Sequence, residues 1–292
     1  TVYYNKPDNI VQAQKDGCRK DEDGVWQLSI QQKQQILTNN VYGVDIDAQA
    51  VEVSQLSLYL KMLENENVVT VAKHLSKKGR LFGADKILPD LSNNIKCGNS
   101  LIGTDILSGQ LFEDDELKKL NPFDYEVEFK DVFKQGGFDA MVGNPPYIVL
   151  SKEGYPDFML KYLSNKYKQV QYQLDAYLLF MCNAYNLSKD VIGYIVPNAY
   201  LANLNIVAFR KWMLSNSSIS EINLLPKNVF KGATVDTTVI IYEKKVHSNN
   251  KIKIRDLSEN VSKTKYTLPQ NDFLNKESFK LNIHINPSAE KI

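Results

Sequence analysis

The sequence predicts an α/β domain with a mostly parallel sheet. Two observations carry that expectation. Short β-branched or apolar runs recur at Val41–Ile46, Phe138–Gly143 and Val191–Val196, and stretches of helical spacing alternate with them, the clearest at 48–63 and 174–187. Apolar runs this short and this continuous suit strands covered on both faces, as in a sheet with helices packed on either side.

Residues 1–30 are polar apart from Val25, Trp26, Leu28 and Ile30, and read as a connector. A Gln-rich helix follows over 29–40, stopped by Asn39-Asn40. Val41-Tyr42-Gly43-Val44-Asp45-Ile46 is the first strand, and Asp47 stands where a helix N-cap belongs. In the helix behind it, Val51, Gln55, Leu58 and Met62 mark one face, with Leu56, Leu60 and Leu63 beside them. A looser stretch runs to Asp90, and Asn94–Leu101 reads as a short strand ending in a turn. Residues 113–131 carry eight carboxylates against Lys118, Lys119 and Lys130, the pattern of a solvated face. Phe138–Gly143 is the third strand, broken by Asn144-Pro145-Pro146-Tyr147. Next come a helix over 174–187, a strand Val191–Val196 closed by Pro197, and a helix near Ala208–Leu214. Strands near Ile219–Leu225 and Val235–Glu243 complete the regular part, and 246–292 reads as polar and strand-poor.

Composition narrows the function classes. The chain has 292 residues, enough for one large domain or two modest ones. Lys plus Arg total 35 against 34 Asp plus Glu, which excludes a wholly basic nucleic-acid coat protein but not a local basic groove. From Pro226 onward 12 Lys and Arg face 7 Asp and Glu, so the neutral total hides a basic tail. Cys18, Cys97 and Cys182 are widely spaced without a CxxC pair, as expected of a reduced, cytoplasmic protein. His74, His247 and His284 are isolated, so spacing assembles no metal site. No apolar run approaches the roughly 20 residues that span a bilayer. The chain opens on Thr-Val-Tyr-Tyr, neither a starting Met nor a signal peptide, and is expected to be cut from a longer polypeptide.

The chemistry lies in Asn144-Pro145-Pro146-Tyr147. Ligands of open α/β sheets bind at the carboxyl ends of strands, where this segment stands. Two consecutive prolines cannot continue a ladder, and they make a rigid extended corner. Such a corner suits an amino group, whose two hydrogens the Asn144 side-chain oxygen and the Pro145 carbonyl can each accept. The nitrogen lone pair is then directed at an electrophile, through positioning and electrostatics. Tyr147 offers a flat face for an extruded planar ring. An ordinary Pro-Pro turn after a strand is the plainer reading of the same residues.

With its neighbours, this signature resembles the S-adenosylmethionine-dependent amino-methyltransferases, chiefly the DNA adenine-N6 enzymes of type IIG and related restriction–modification systems. Val41–Asp47 (VYGVDID) with its Leu-rich helix looks like their second motif, and Ile95–Gly103 (IKCGNSLIG) like their third. Gly193–Leu201 (GYIVPNAYL) and Phe230–Glu243 (FKGATVDTTVIIYE) look like later ones, in order over roughly 25–245. The resemblance implies a Rossmann-like methyltransferase sheet and S-adenosyl-L-methionine as cofactor. It also implies double-stranded DNA as partner, with methyl transfer to the amino group of a flipped adenine in a restriction–modification or defence system. Asp45 matches the acidic residue that accepts from the cofactor's ribose hydroxyls, and Ile46 the residue packed on its adenine. Asn99 matches an adenine contact, with turn formation after Gly98 as its other reading. Asn144 and Pro145 would hold the target amino group, Pro146 would border the cofactor's methionine end, and Tyr147 would stack on the base. Phe230 is a candidate for the opposite face of the base, or else a core aromatic. Asp175 is either a neighbour of the site or a surface helix residue.

The sequence departs from the family in one place. Its members carry a glycine-rich first motif on the turn after their first strand, and here only Gly17 and Gly24 precede Gly43. In the family that strand lies beside the second and the catalytic fourth, so a sheet incomplete at its N-terminal side is expected. A missing first-motif or nuclease segment would precede this chain and a target-recognition domain would follow it. On this reading 1–30 is a connector, 31–245 a partial catalytic core, and 246–292 a linker and the start of target recognition. Two other readings stand beside it: a protein-glutamine methyltransferase, which shares Asn-Pro-Pro-Tyr, and a catalytically silent DNA-binding or structural fragment.

Overall fold

A computed structural model describes residues 5–21, 23–77, 87–108, 114–226, 235–257 and 263–283. The chain forms two compact units, one of Thr1–Ser100 with Phe112–Phe123, the other of Leu101–Leu111 with Asp124–Ile292.

In the first unit, helix α1 (Ile30–Asn40) starts at a capping box, with Ser29 and Gln32 satisfying each other's backbone N–H groups. Its far end is closed from outside by Asn94. That buried amide donates to the carbonyls of Leu37, Thr38 and Val41 at 3.3, 2.9 and 3.0 Å, groups that a helix C-terminus leaves open. Strand β1 (Gly43–Asp45) leads into helix α2 (Ala48–Leu63), where Asp47 caps as expected, accepting from Gln49 N at 2.8 Å. Helix α3 (Val68–Lys77) occupies the stretch that the sequence left as loose. Strand β2 (Ile95–Cys97) pairs parallel with β1, Asp45 opposite Cys97. Val51, Leu91 and Ile95, with Leu37, Leu58 and Tyr59 against them, form the core.

The second unit is built on strands β3 (Phe138–Gly143), β4 (Val149–Leu150), β5 (Leu174–Asp175), β6 (Ser188–Pro197), β7 (Ser218–Leu224), β8 (Thr237–Glu243), β9 (Lys251–Asp256) and β10 (Lys263–Pro269). Six of them form one sheet in the order β10-β9-β7-β8-β6-β3. The β3–β6 and β7–β9 pairs are parallel and the rest antiparallel, so the sheet is mixed where a mostly parallel one was expected. An apolar run reports burial but not direction. Here Thr237–Glu243 slots between β6 and β7 antiparallel to both, a choice made by long-range pairing.

Helices α4 (Asp157–Lys166), α5 (Ala176–Leu187) and α6 (Val207–Asn216) belong to the same unit. In α5 eight of twelve residues are buried, so the helix is enclosed on nearly every side, and Met181 O accepts the phenol of the buried Tyr242 at 3.0 Å. Each such fully buried aliphatic or aromatic side chain contributes roughly 1.5–3 kcal/mol.

The strand-poor expectation for 246–292 is corrected in the described part, which supplies β9 and β10. At the other end of the sheet β3 pairs, among the described residues, with β6 alone, and Val142 on it is 85% exposed. In the first unit the only strand partner of β1 among the described residues is likewise β2.

Candidate active site

The Asn-Pro-Pro-Tyr corner stands at the carboxyl end of β3. The ladder to β6 ends with Gly143 opposite Tyr194, and a Cβ on Gly143 would lie 3.0 Å from the Tyr194 ring. Glycine is therefore what lets the strand approach that buried aromatic before it turns. Beyond Gly143 the prolines bring no N–H to the ladder. Asn144 is exposed, Pro145 buried, Pro146 exposed and Tyr147 half-buried. The Tyr147 phenol lies 2.8 Å from Asn144 Oδ1 and 3.1 Å from the carbonyl of Ile195 on β6. Burial pushes the Tyr147 phenol up, so it stays protonated and acts as a donor.

The chain leaving the corner is pinned by the two-residue β4–β5 ladder. Val149 lies opposite Asp175, and Ala176 N donates to Ile148 O at 2.9 Å. Asp175 thus sits on the segment that follows Tyr147, which the sequence left open. It stands at the N-cap of α5 without capping it, and burial pushes its carboxyl up. A carboxylate at an N-cap ordinarily accepts a backbone N–H, so this one is held away from its usual partner.

In the first unit Asp45, Ile46 and Asn99 come together at the carboxyl ends of the parallel β1–β2 pair. One Asp45 carboxylate oxygen accepts from Asp47 N at 2.9 Å, and the Asp45 carbonyl accepts from Gly98 N at 2.8 Å. Ile46 is 55% exposed, a large apolar side chain presented to solvent at the turn. Asn99 N donates to Asn121 O at 2.7 Å. A Cβ on Gly98 would fall 2.3 Å from Phe123, so only glycine admits the turn between Cys97 and Asn99. Phe230 lies outside the described residues. Among the described residues no group of three or more His, Cys, Asp or Glu could hold a metal ion, and no helix is long and apolar enough to cross a membrane.

One polar cluster escaped the sequence reading. In the second unit Tyr162 donates to Asp105 Oδ1 at 2.6 Å while accepting from Gly103 N at 3.0 Å and from Lys166 Nζ at 2.9 Å. Burial lowers the Lys166 ammonium, although Asp105 and Asp124 pull the other way. The i, i+4 spacing of Tyr162 and Lys166 on α4 was its only local signal.

Residues 39–230 match the family described as Eco57I restriction-modification methylase. The chain is 30% identical over 248 residues to the type II restriction enzyme and methyltransferase RM.Eco57I of Escherichia coli, a match covering 83% of this chain and 22% of that relative. The chain therefore spans about a fifth of that relative's length. Among solved structures, the type I restriction-modification methyltransferase subunit from Streptococcus thermophilus is 25% identical with a TM-score of 0.37, over 53% of this chain and 34% of that one. The type IIG restriction endonuclease BpuSI is 26% identical with a TM-score of 0.32, over 41% and 15% of the respective chains. The matched residues 39–230 contain both the Asp45 turn and the Asn144–Tyr147 corner, and the chain belongs to the Eco57I restriction-modification methylase family.

Proposed function

We propose that this chain is the catalytic segment of a cytoplasmic, site-specific DNA methyltransferase. It would methylate the N6 amino group of an adenine flipped out of double-stranded DNA, within a restriction–modification or defence system. The observation that carries this reading is an exposed Asn144, held at the end of a strand by a buried Pro145 and a half-buried Tyr147, in a chain of this family. An amino group offered there meets two acceptors, the Asn144 amide oxygen and the Pro145 carbonyl, and leaves its lone pair free. Base flipping is required because that amino group is otherwise paired inside the duplex. Pro146 borders the methyl donor and Tyr147 stacks on the extruded base.

The cofactor in this reading is S-adenosyl-L-methionine, which when bound supplies an electrophilic methyl group on a sulfonium. Residues of the first unit fit its nucleoside. Asp45 keeps one carboxylate oxygen beyond the bond from Asp47 N, so it can accept from ribose hydroxyls. Exposed Ile46 provides apolar surface for an adenine ring, and Asn99 a polar edge contact. The relative's much greater length supports further segments outside these residues. We place a glycine-rich first-motif strand among them, as well as a target-recognition domain.

The test is to incubate the complete protein with tritium-labelled cofactor and duplex DNA, digest the DNA, and identify the labelled nucleoside. N6-methyladenine is expected. Label in N4-methylcytosine or in protein glutamine would overturn the substrate. No label, together with no cofactor binding by calorimetry, would leave a silent scaffold.

A further inference from the structure

The hydrogen bonds around Tyr147 fix which way the Asn144 amide faces. The phenol approaches two oxygen acceptors, Asn144 Oδ1 at 2.8 Å and Ile195 O at 3.1 Å, yet it owns a single proton. Ile195 O has no alternative identity, because a backbone carbonyl only accepts. It also lacks a ladder donor: pairing between β3 and β6 ends at Gly143 opposite Tyr194, and Pro145 and Pro146 have no N–H to continue it. On the other side the carbonyls of β6 alternate, Asp190 O accepting from Lys244 N and so facing β8 while Ile195 O faces β3. An unpaired carbonyl that is partly buried is costly, so the phenolic proton belongs to Ile195 O.

The amide is free to choose. Its oxygen and nitrogen ends exchange by a half-turn about the last side-chain torsion, and the surrounding bonds decide which end faces which neighbour. With the phenolic proton spent on Ile195, an amide oxygen 2.8 Å from the phenol would set lone pair against lone pair. Turned over, Nδ2 donates to the phenol and every group in the chain Asn144–Tyr147–Ile195 is satisfied. The amide oxygen then lies on the side away from Tyr147.

We propose that the Tyr147 hydroxyl, anchored on Ile195 O, is a positioning group that sets the Asn144 amide with its oxygen outward, ready to accept from the target amino group. This rests on the reading of Asn144 as that acceptor. It gives Tyr147 two separable jobs: the ring stacks, and the hydroxyl orients. Without the hydroxyl the amide samples both orientations, and in the wrong one it presents N–H groups to N–H groups.

The experiment is Tyr147→Phe in the complete enzyme, with single-turnover methyl transfer measured beside base extrusion, read by 2-aminopurine fluorescence at the target position. We expect transfer to fall about tenfold, as for loss of one oriented contact in the transition state, with extrusion and cofactor affinity unchanged. Transfer within twofold of wild type would overturn the proposal. A fall matched by an equal fall in extrusion would overturn it too, since the ring would then account for everything. Asn144→Asp provides a second arm, because a carboxylate has oxygens at both ends and needs no orienting. In that background Tyr147→Phe should cost less than threefold, and an undiminished tenfold loss would count against the amide lock. Wild-type enzyme that methylates no adenine would sink the functional reading itself, a result distinct from either of these.

Discussion

Asn144 combines exposure with rigid anchoring: Pro145 beside it is buried, and Tyr147 three residues on reaches back to its amide. Asn144→Ala should lower methyl transfer by about a hundredfold or more, the scale of losing a transition-state acceptor, while cofactor affinity stays within twofold. Rapid-quench kinetics beside calorimetry will separate the two, and a rate within threefold of wild type would remove Asn144 from the mechanism. Asp45→Ala should do the reverse and weaken cofactor binding by about tenfold through loss of charge-assisted bonds to the ribose. Unchanged affinity would reassign that carboxylate to its turn alone. Asp175 belongs to this scale as well. Burial raises its folded-state pKa above the unfolded value, so the neutral acid is favoured on folding. Its contribution to stability is greatest below the ordinary carboxylate range and is lost as pH rises through the raised value. Asp175→Asn is therefore expected to raise the melting temperature at neutral pH and leave it unchanged near pH 3. A lower melting temperature at neutral pH would mean that the carboxylate holds a partner.

Among the elements, those with a dense local signal were legible. The β3 run Phe138–Gly143 is found as expected, and α2 ends at Leu63 behind its Asp47 cap. Strand β9 was missed although its pattern was present. Lys251-Ile252-Lys253-Ile254-Arg255 alternates with period two, and Ile252 and Ile254 are fully buried, but the polar average of the tail hid it. One side chain contributes four bonds to holding this tail in place. Gln270 donates to Leu214 O and Ser217 O at 2.9 and 2.7 Å and accepts from Ile219 N and Asn250 Nδ2, both at 2.8 Å. The amide uses its full capacity inside the protein. Gln270→Leu would take this partner from Leu214 O, Ser217 O and Ile219 N, while Asn250 Nδ2 keeps its bond to Ile219 O at 2.7 Å, and should destabilise the chain by about 2–4 kcal/mol. A urea midpoint unmoved by the substitution would show that water replaces the amide.

For the whole molecule, the question is where the second unit ends. Strand β9 covers the edge of β7, and Arg210, fully buried, donates to Tyr200 O, Asn203 O and Ser278 O through its guanidinium. A polypeptide truncated after residue 245 should lose cooperative unfolding, because the edge of β7 is uncovered while Arg210 Nε and Nη2 lose Ser278 O. A sharp thermal transition at the wild-type temperature would show instead that the tail is an appendage. The sequence by itself determined the strand runs outside the C-terminal tail, the Asp47 cap, the proline corner and, through resemblance, the family. These are local matters, decided by side-chain burial, proline geometry and capping within a few residues of chain. Only the tertiary structure decided the direction of Thr237–Glu243 in the sheet, the pairing of Val149 with Asp175, and the reach of Tyr147 to Ile195. Each of these joins residues far apart in sequence, where the free energy lies in packing and hydrogen-bond satisfaction between elements and leaves no periodicity to read.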